Sequence, residues 1–67
     1  MRNRLKVLRA ERNLTQEALA RMLGVSRQAI LAIETGKYDP SLPLGMRIAR
    51  VFNQPVEQVF FLEEDGS

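Results

Sequence analysis

The chain is short and has neither the cysteines nor the histidines that stabilise many small folds through disulfides or metal sites. It has 67 residues and contains no cysteine and no histidine. Disulfides, thiolate chemistry and the usual zinc-ligand sets are therefore excluded. A domain of this size buries only about 60% of the surface that its unfolded chain exposes. We expect one domain over residues 1–67, with no metal and no cofactor, stabilised by close helix packing, by dimerisation, or by both.

Hydroxyl, glycine, asparagine and proline residues divide the chain into five predicted short helices. The first helix covers about residues 3–12. The beginnings of the other four are marked by Thr15, Ser26, Ser41 and Pro55. The ends of the first four are marked by Asn13, Gly24, Gly36 and Asn53. Gly45 lies inside the fourth helix, where it costs about 1 kcal/mol relative to alanine, and a close helix approach is the expected reason for it.

Apolar residues recur at helical spacing and predict the inward faces. These residues are Leu5, Leu8, Ala18, Leu19, Met22, Leu23, Ala29, Ile30, Ile33, Leu44, Ile48, Ala49 and Phe52. The short fifth helix carries Val56, Val59 and Phe60. No stretch shows sustained strand alternation, and residues 60–62 are the candidate for a short C-terminal strand. The pattern therefore predicts the all-α class, with a short strand at residues 60–62 as the possible exception and a C-terminal tail at residues 61–67.

The net charge of +2 is distributed unevenly along the chain. Residues 1–13 carry +4, residues 14–37 carry +1 and residues 38–67 carry −3. Such a gradient favours approach to a polyanion with the basic end leading, although a solvated charged helix is the simpler alternative. No apolar run approaches the roughly 20 residues that span a bilayer, and the basic N-terminus does not lead into a signal-peptide core. We therefore expect a cytoplasmic protein that has no membrane contact.

Residues 15–36, TQEALARMLGVSRQAILAIETG, have the pattern of two helices joined by a tight turn. Ala20 is small at the point where the two helices must cross, and Ala29 and Ile30 complete the contact from the second helix. Two helices packed nearly perpendicular in this way form a helix-turn-helix unit, which presents its second helix to the major groove of DNA.

The longer segment LTQEALARMLGVSRQAILAIETGKYDPSL resembles the helix-turn-helix of Cro and the phage repressors, the XRE family. The flanking segments LKVLRAERNLTQ and PLGMRIARVFNQPVEQVF resemble that family's first, fourth and fifth helices, so the likeness covers about residues 3–60. The resemblance implies a compact five-helix domain like that of lambda repressor. It also implies a DNA-binding transcriptional regulator.

The resemblance assigns the base contacts to the outer face of the third helix, at Arg27, Gln28, Leu31 and Ala32. Arginine bonds bidentately to guanine, glutamine bonds bidentately to adenine, and an alanine methyl touches a thymine methyl. The alternative is that Arg27 and Gln28 are solvated residues of a first turn, and that Leu31 is an isolated apolar residue on the surface. Ala32 is small where the family often has a polar reader, so specificity is expected to depend partly on DNA shape.

Contacts to the DNA backbone are expected from a second set of side chains. Its members are Thr15, Gln16, Ser26, Lys37, Tyr38 and Ser41. Gln16 resembles the family's phosphate-binding glutamine, whereas Thr15 and Ser26 are helix caps first and phosphate ligands second. Tyr38 has packing over its own loop as the alternative. By the same resemblance, Arg9 and Glu34 form a structural ion pair between the first and third helices.

The expected mechanism is occupancy of a palindromic operator by a homodimer, most simply as a repressor that blocks polymerase. Activation by contact with polymerase is the alternative, and the sequence does not decide between them. The predicted interface consists of Val51, Val56, Phe61 and Leu62. Phe61 or Leu62 packing back onto its own core is the alternative.

The expected partner is double-stranded DNA, without a small-molecule effector. The competing function is a protein-interaction module such as an antitoxin-like subunit. An enzyme is not expected, because the chain has no histidine, cysteine or glycine-rich phosphate loop.

Overall fold

The computed structural model describes residues 1–63 and is mostly helical. Its elements, in chain order, are β1 (Arg2–Asn3), α1 (Leu5–Glu11), α2 (Gln16–Leu23), α3 (Arg27–Glu34), α4 (Leu42–Val51), a 3₁₀ helix (Val56–Gln58) and β2 (Phe60–Phe61). The longest helix in this part of the chain has 10 residues. No helix in it is long and apolar enough to cross a membrane.

The prediction of five helices is wrong for the last one. Residues 1–63 contain four α-helices, and the fifth predicted helix is a single 3₁₀ turn, Val56–Gln58. Pro55 precedes it in an extended conformation, and β2 begins two residues after it, so there is no room for an α-helix. The C-terminal strand is present at Phe60–Phe61, one residue shorter than predicted.

The strand β2 pairs antiparallel with β1, which the sequence pattern did not predict. Arg2 lies opposite Phe61, and Asn3 lies opposite Phe60. The Arg4 N–H then donates to the carbonyl of Val59 at 2.9 Å. Because residues 2–3 are extended, α1 begins at Leu5 rather than near residue 3. The small sheet therefore joins the two ends of the described chain.

Helix boundaries follow the hydroxyl caps that the sequence predicts. The side chains of Thr15, Ser26 and Ser41 accept hydrogen bonds from the N–H groups of the third residue along, at 2.9, 3.0 and 3.3 Å. Gly24 ends α2 with a φ of 73°, a conformation that favours glycine. Asn13 and Asn53 occupy the same left-handed region after α1 and α4.

The core lies between the four α-helices and the 3₁₀ turn. Its largest fully buried side chains are Leu5, Leu8, Leu19, Ile30, Ile33, Ile48, Phe52 and Val59. Met22 was predicted to face inward, but it is 58% exposed. Leu19 and Leu23 set the inward direction of α2, and Ala20 completes that face on the side away from Met22. Ala20 is small, faces inward and is 3% exposed.

Candidate nucleic-acid interface

The second and third helices form a helix-turn-helix unit over residues 16–34. Gly24 turns the chain after α2, and the Val25 N–H donates to the Ala20 carbonyl at 3.0 Å. Ser26 then caps α3. Ala20 is 3% exposed and Ile30 is fully buried, so these small and branched side chains are removed from water with the rest of the core. The inner face of α3 is thereby fixed, and its outer face lies on the surface.

The outer face of α3 carries the four predicted base-contacting residues. Arg27 and Gln28, in the first turn, are both exposed. Leu31 is one turn further along and 45% exposed. Ala32 is half-buried and contributes a small apolar patch beside it. The face thus combines a guanidinium, a carboxamide and two apolar groups within two helical turns.

Donor groups are exposed at the beginnings of both helices. Thr15 and Ser26 are exposed hydroxyl residues that accept from Ala18 and Ala29. The first two N–H groups of each helix have no backbone acceptor within residues 1–63, as expected for a helix N-terminus. Together with the helix dipoles, these donors favour an anion. Glu17 lies in the first turn of α2 but is paired with Arg21 at 4.0 Å, on the exposed side of the helix.

The loop after α3 presents the other predicted backbone contacts. The N–H groups of Lys37 and Tyr38 both donate to the carbonyl of Ala32, at 3.0 and 3.2 Å, and hold the loop against the helix end. Lys37 is exposed, and Tyr38 is 50% exposed. Ser41 is exposed and caps α4.

The Arg9 and Glu34 side chains meet beneath the beginning of α2. Arg9 Nε donates to Glu34 Oε2, and Arg9 Nη2 donates to Glu34 Oε1 at 3.1 Å. Arg9 Nη1 also donates to the carbonyl of Leu14 at 2.8 Å, just before the Thr15 cap. The two side chains are only 14% and 6% exposed. Gln16 Nε2 donates to Glu34 Oε1 at 3.2 Å, so the predicted phosphate ligand is bonded to the ion pair.

Three polar side chains that bond to distant backbone carbonyls were not predicted as functional residues. Asn3 Nδ2 donates to the carbonyl of Ile33 at 2.9 Å and ties β1 to the end of α3. Arg47 Nη2 donates to the carbonyl of Leu23 at 2.7 Å and caps the end of α2. Arg12 Nη2 donates to the carbonyl of Phe52 at 2.9 Å. Each bond joins residues 24 to 40 positions apart, so no local sequence signal announces it.

The four residues predicted for a dimer interface do not form one exposed patch. Val51 and Val56 are half-buried against the core, and Phe61 is half-buried in β2. Leu62 is 78% exposed. A shallow groove runs beside Val56, and its lining comprises Met46, Ala49, Arg50, Asn53, Gln54, Pro55, Val56 and Glu57. Leu42 and Met46, on the same face of α4, are 68% and 52% exposed.

Comparison with known proteins matches residues 5–59 to the family described as Helix-turn-helix. An uncharacterised HTH-type transcriptional regulator of Methanocaldococcus jannaschii is 58% identical over 65 residues, which are 97% of this chain and 98% of that protein. A cryptic phage transcriptional repressor of Vibrio cholerae is 32% identical over 85% of this chain and 51% of its own length. An HTH-type transcriptional activator of Enterococcus faecalis is 39% identical over 91% of this chain and 30% of its own length.

Proposed function

Because this chain belongs to the XRE-type helix-turn-helix family of transcriptional regulators, we propose that it reads a specific DNA sequence by placing α3 in the major groove. The observation that carries the proposal is the division of α3 into two faces. Ile30 and Ile33 are buried, whereas Arg27 and Gln28 are exposed beside the free N–H groups of the first turn. A helix held in this way can enter a groove without disturbing the core.

The side chains on this face suit bases of different kinds. Arg27 would bond to O6 and N7 of a guanine, and Gln28 would bond to N6 and N7 of an adenine. Leu31 and Ala32 would contact thymine methyl groups. Each bidentate contact contributes about 1–3 kcal/mol of discrimination between bases. Ala32 makes no hydrogen bond, so DNA shape would supply part of the specificity at its position.

Contacts to phosphate would fix the register of α3 in the groove. Gln16 and the free N–H groups of α2 supply one set, and Lys37 and Tyr38 supply a second set beyond the end of α3. The hydroxyls of Thr15, Ser26 and Ser41 keep a proton to donate while they accept the cap bond. These contacts carry no sequence information themselves.

A homodimer on a palindromic operator would double the number of bases read. The shallow groove beside α4 is lined by only one of the four predicted interface residues, Val56. The other three, Val51, Phe61 and Leu62, do not line it. A second copy suits this groove, because Arg50 and Glu57 both line it and can pair reciprocally across a two-fold axis. Leu42 and Met46 would supply apolar area. Analytical ultracentrifugation, with Met46→Glu as the disruptive variant, tests this arrangement.

Repression is the proposed outcome, because occupancy of an operator requires no contact other than that with DNA. The relatives include one protein named as a repressor and one named as an activator. A reporter gene placed behind the selected operator distinguishes repression from activation. Repression predicts lower expression when the protein is present, and activation predicts higher expression.

Selection of bound duplexes from a random DNA pool tests the central proposal. We expect one enriched half-site, repeated with inverted symmetry about one helical turn apart. The variant carrying Arg27→Ala and Gln28→Ala should lose this enrichment. A control carrying Lys6→Ala and Gln58→Ala removes the same charge and the same carboxamide from exposed positions outside the proposed contacts and should keep it. Equal, weak and unselective binding by both variants and the parent protein would refute DNA reading.

A protein-interaction module is the second candidate, because Leu42 and Met46 leave exposed apolar area on α4. The two functions differ in what Met46→Glu changes. A module that acts through a protein partner loses that partner and shows no DNA selection in any form. A DNA reader keeps its half-site preference and loses only the two-fold repeat.

A further inference from the structure

The carboxamide of Gln16 is bonded to a carboxylate, that of Glu34, which is itself bonded to Arg9. Glu34 Oε1 accepts from Gln16 Nε2 at 3.2 Å. The same carboxylate accepts hydrogen bonds from Nε and Nη2 of Arg9. Only 6% of the Glu34 side chain is exposed. Arg9 is fixed in turn by the carbonyl of Leu14. The Gln16 side chain is therefore anchored to α1 and α3 as well as to its own helix.

This anchor determines which group of the Gln16 carboxamide faces Glu34. A carboxylate accepts hydrogen bonds and donates none, so the NH₂ group of Gln16 must face Glu34. One N–H is used by that bond, and the other has no acceptor within residues 1–63. Gln16 is the first residue of α2, and its backbone N–H and that of Glu17 also have no backbone acceptor within residues 1–63.

We propose that Glu34 is a positioning residue for DNA binding, which fixes the Gln16 carboxamide so that its second N–H joins the α2 N-terminus on one phosphate. The inference rests on the proposed function, because the phosphate is that of the DNA backbone. A pre-fixed carboxamide loses little rotamer freedom on binding, so more of the hydrogen-bond energy appears as affinity. The core ion pair thereby contributes to recognition without touching DNA.

The proposal predicts that neutralisation of Glu34 weakens DNA binding, whereas simple electrostatics predicts that it tightens binding. A carboxylate near a phosphate repels it, so a Glu34 that acted only through its charge would weaken binding, and its neutralisation would tighten binding. Glu34→Gln instead leaves one acceptor oxygen for three N–H groups, two from Arg9 and one from Gln16. The Gln16 carboxamide is then released, and binding weakens.

A double-mutant cycle measured on the duplex selected from the random pool tests the inference. We expect Gln16→Ala to weaken binding about tenfold, the loss of one hydrogen bond to a charged group. Glu34→Gln should weaken binding several-fold in the parent protein and not at all in the Gln16→Ala background. Equal losses in both backgrounds would assign Glu34 a purely structural role, and tighter binding would assign it a purely electrostatic one. Either result overturns the inference.

A measurement on the parent protein keeps the test valid if Glu34→Gln fails to fold. One of the two side-chain amide protons of Gln16 should exchange slowly with solvent and be shifted downfield by its bond to the Glu34 carboxylate, whereas fast exchange of both protons at the shifts of a free glutamine would contradict the anchor. The same duplex separates the two proposals. If no sequence is enriched, the proposed function fails; if enrichment depends on Arg27 and Gln28 but the cycle is additive, only the role of Glu34 fails.

Discussion

Arg9 makes three side-chain hydrogen bonds, two to Glu34 and one to the carbonyl of Leu14. With the pair 14% and 6% exposed, removal of one partner leaves the other charged and poorly hydrated. Arg9→Met should therefore lower the free energy of unfolding by about 3–5 kcal/mol. A domain of this size has only several kcal/mol in total, so this variant should be largely unfolded at 37 °C.

Removal of both charges at once is the control for that prediction. The variant with Arg9→Met and Glu34→Leu buries no unpaired charge, and replacement of a whole buried pair by apolar residues is often close to neutral. Urea denaturation followed by circular dichroism should place the double variant well above Arg9→Met in stability. A double variant as unstable as the single one would contradict the desolvation argument.

Gly45 has a different status from the turn glycines. It lies in the middle of α4, and a Cβ built there would meet side-chain atoms of Val56, Pro40 and Phe60 at 3.7, 3.8 and 3.9 Å, which are ordinary contact distances. The close helix approach expected from the sequence is therefore not the reason for this glycine, and the structure supplies no other. Gly45→Ala should raise stability by about 0.5–1 kcal/mol, because glycine has the larger entropy in the unfolded chain.

Gly24→Ala is the matched control for Gly45→Ala. The space around Gly24 is open, with nothing within 4 Å of a Cβ, but its φ is 73°. A left-handed residue other than glycine costs about 1–2 kcal/mol. Thermal denaturation should show opposite shifts of Tm for the two variants. Shifts of the same sign would mean that contact distance, and not backbone conformation, decides what these positions tolerate.

At the scale of the elements, a comparison of two hydroxyl caps distinguishes an effect on folding stability from an effect on DNA binding. Ser26 and Ser41 each accept one cap bond, at 3.0 and 3.3 Å. Each change to alanine should lower stability by about 1 kcal/mol. We expect Ser26→Ala to weaken DNA binding more than Ser41→Ala, because Ser26 also begins the proposed recognition helix, whereas Ser41 supplies only a proposed phosphate contact. Denaturation and DNA titration of the two variants at the same temperature compare these effects, and equal losses of affinity would contradict the greater role of Ser26.

Local chemistry made most of the helices predictable. A capping hydroxyl, a left-handed glycine or asparagine and an apolar stripe act within one or two turns, so the sequence predicts α2, α3 and α4 to within a residue or two. Met22 was predicted wrongly because, in eight residues, two adjacent directions both look apolar, and the buried face of α2 is the one that includes Ala20. The choice depends on tertiary packing, which periodicity does not contain.

Long-range pairing was the part that the sequence could not predict. β1 has two residues and no alternation, and it exists because β2 lies beside it. Arg12 and Arg47 look like ordinary surface charges, yet they cap the ends of α4 and α2 through carbonyls of Phe52 and Leu23. The exposure of Arg27 and Gln28 was predictable, since it follows from the stripe of Ile30 and Ile33 on the same helix.

At the scale of the whole molecule, charge is separated along the chain. Residues 1–13 carry +4 and residues 38–67 carry −3. The small sheet nevertheless brings the two ends of the described chain together, since Arg2 lies opposite Phe61. The gradient along the sequence is therefore not a separation in space, and it does not by itself turn one end of the molecule toward DNA.

The dependence of binding on salt measures how many cations replace counterions on the phosphates. Each phosphate contact contributes about −0.9 to the slope of log K against log salt concentration. In a dimer, Lys37→Ala removes two proposed contacts, so the slope should become shallower by about two. Lys6→Ala removes the same charge from an exposed position of α1 and should leave the slope unchanged. If both variants shift the slope alike, the basic end attracts DNA diffusely, and Lys37 has no phosphate of its own.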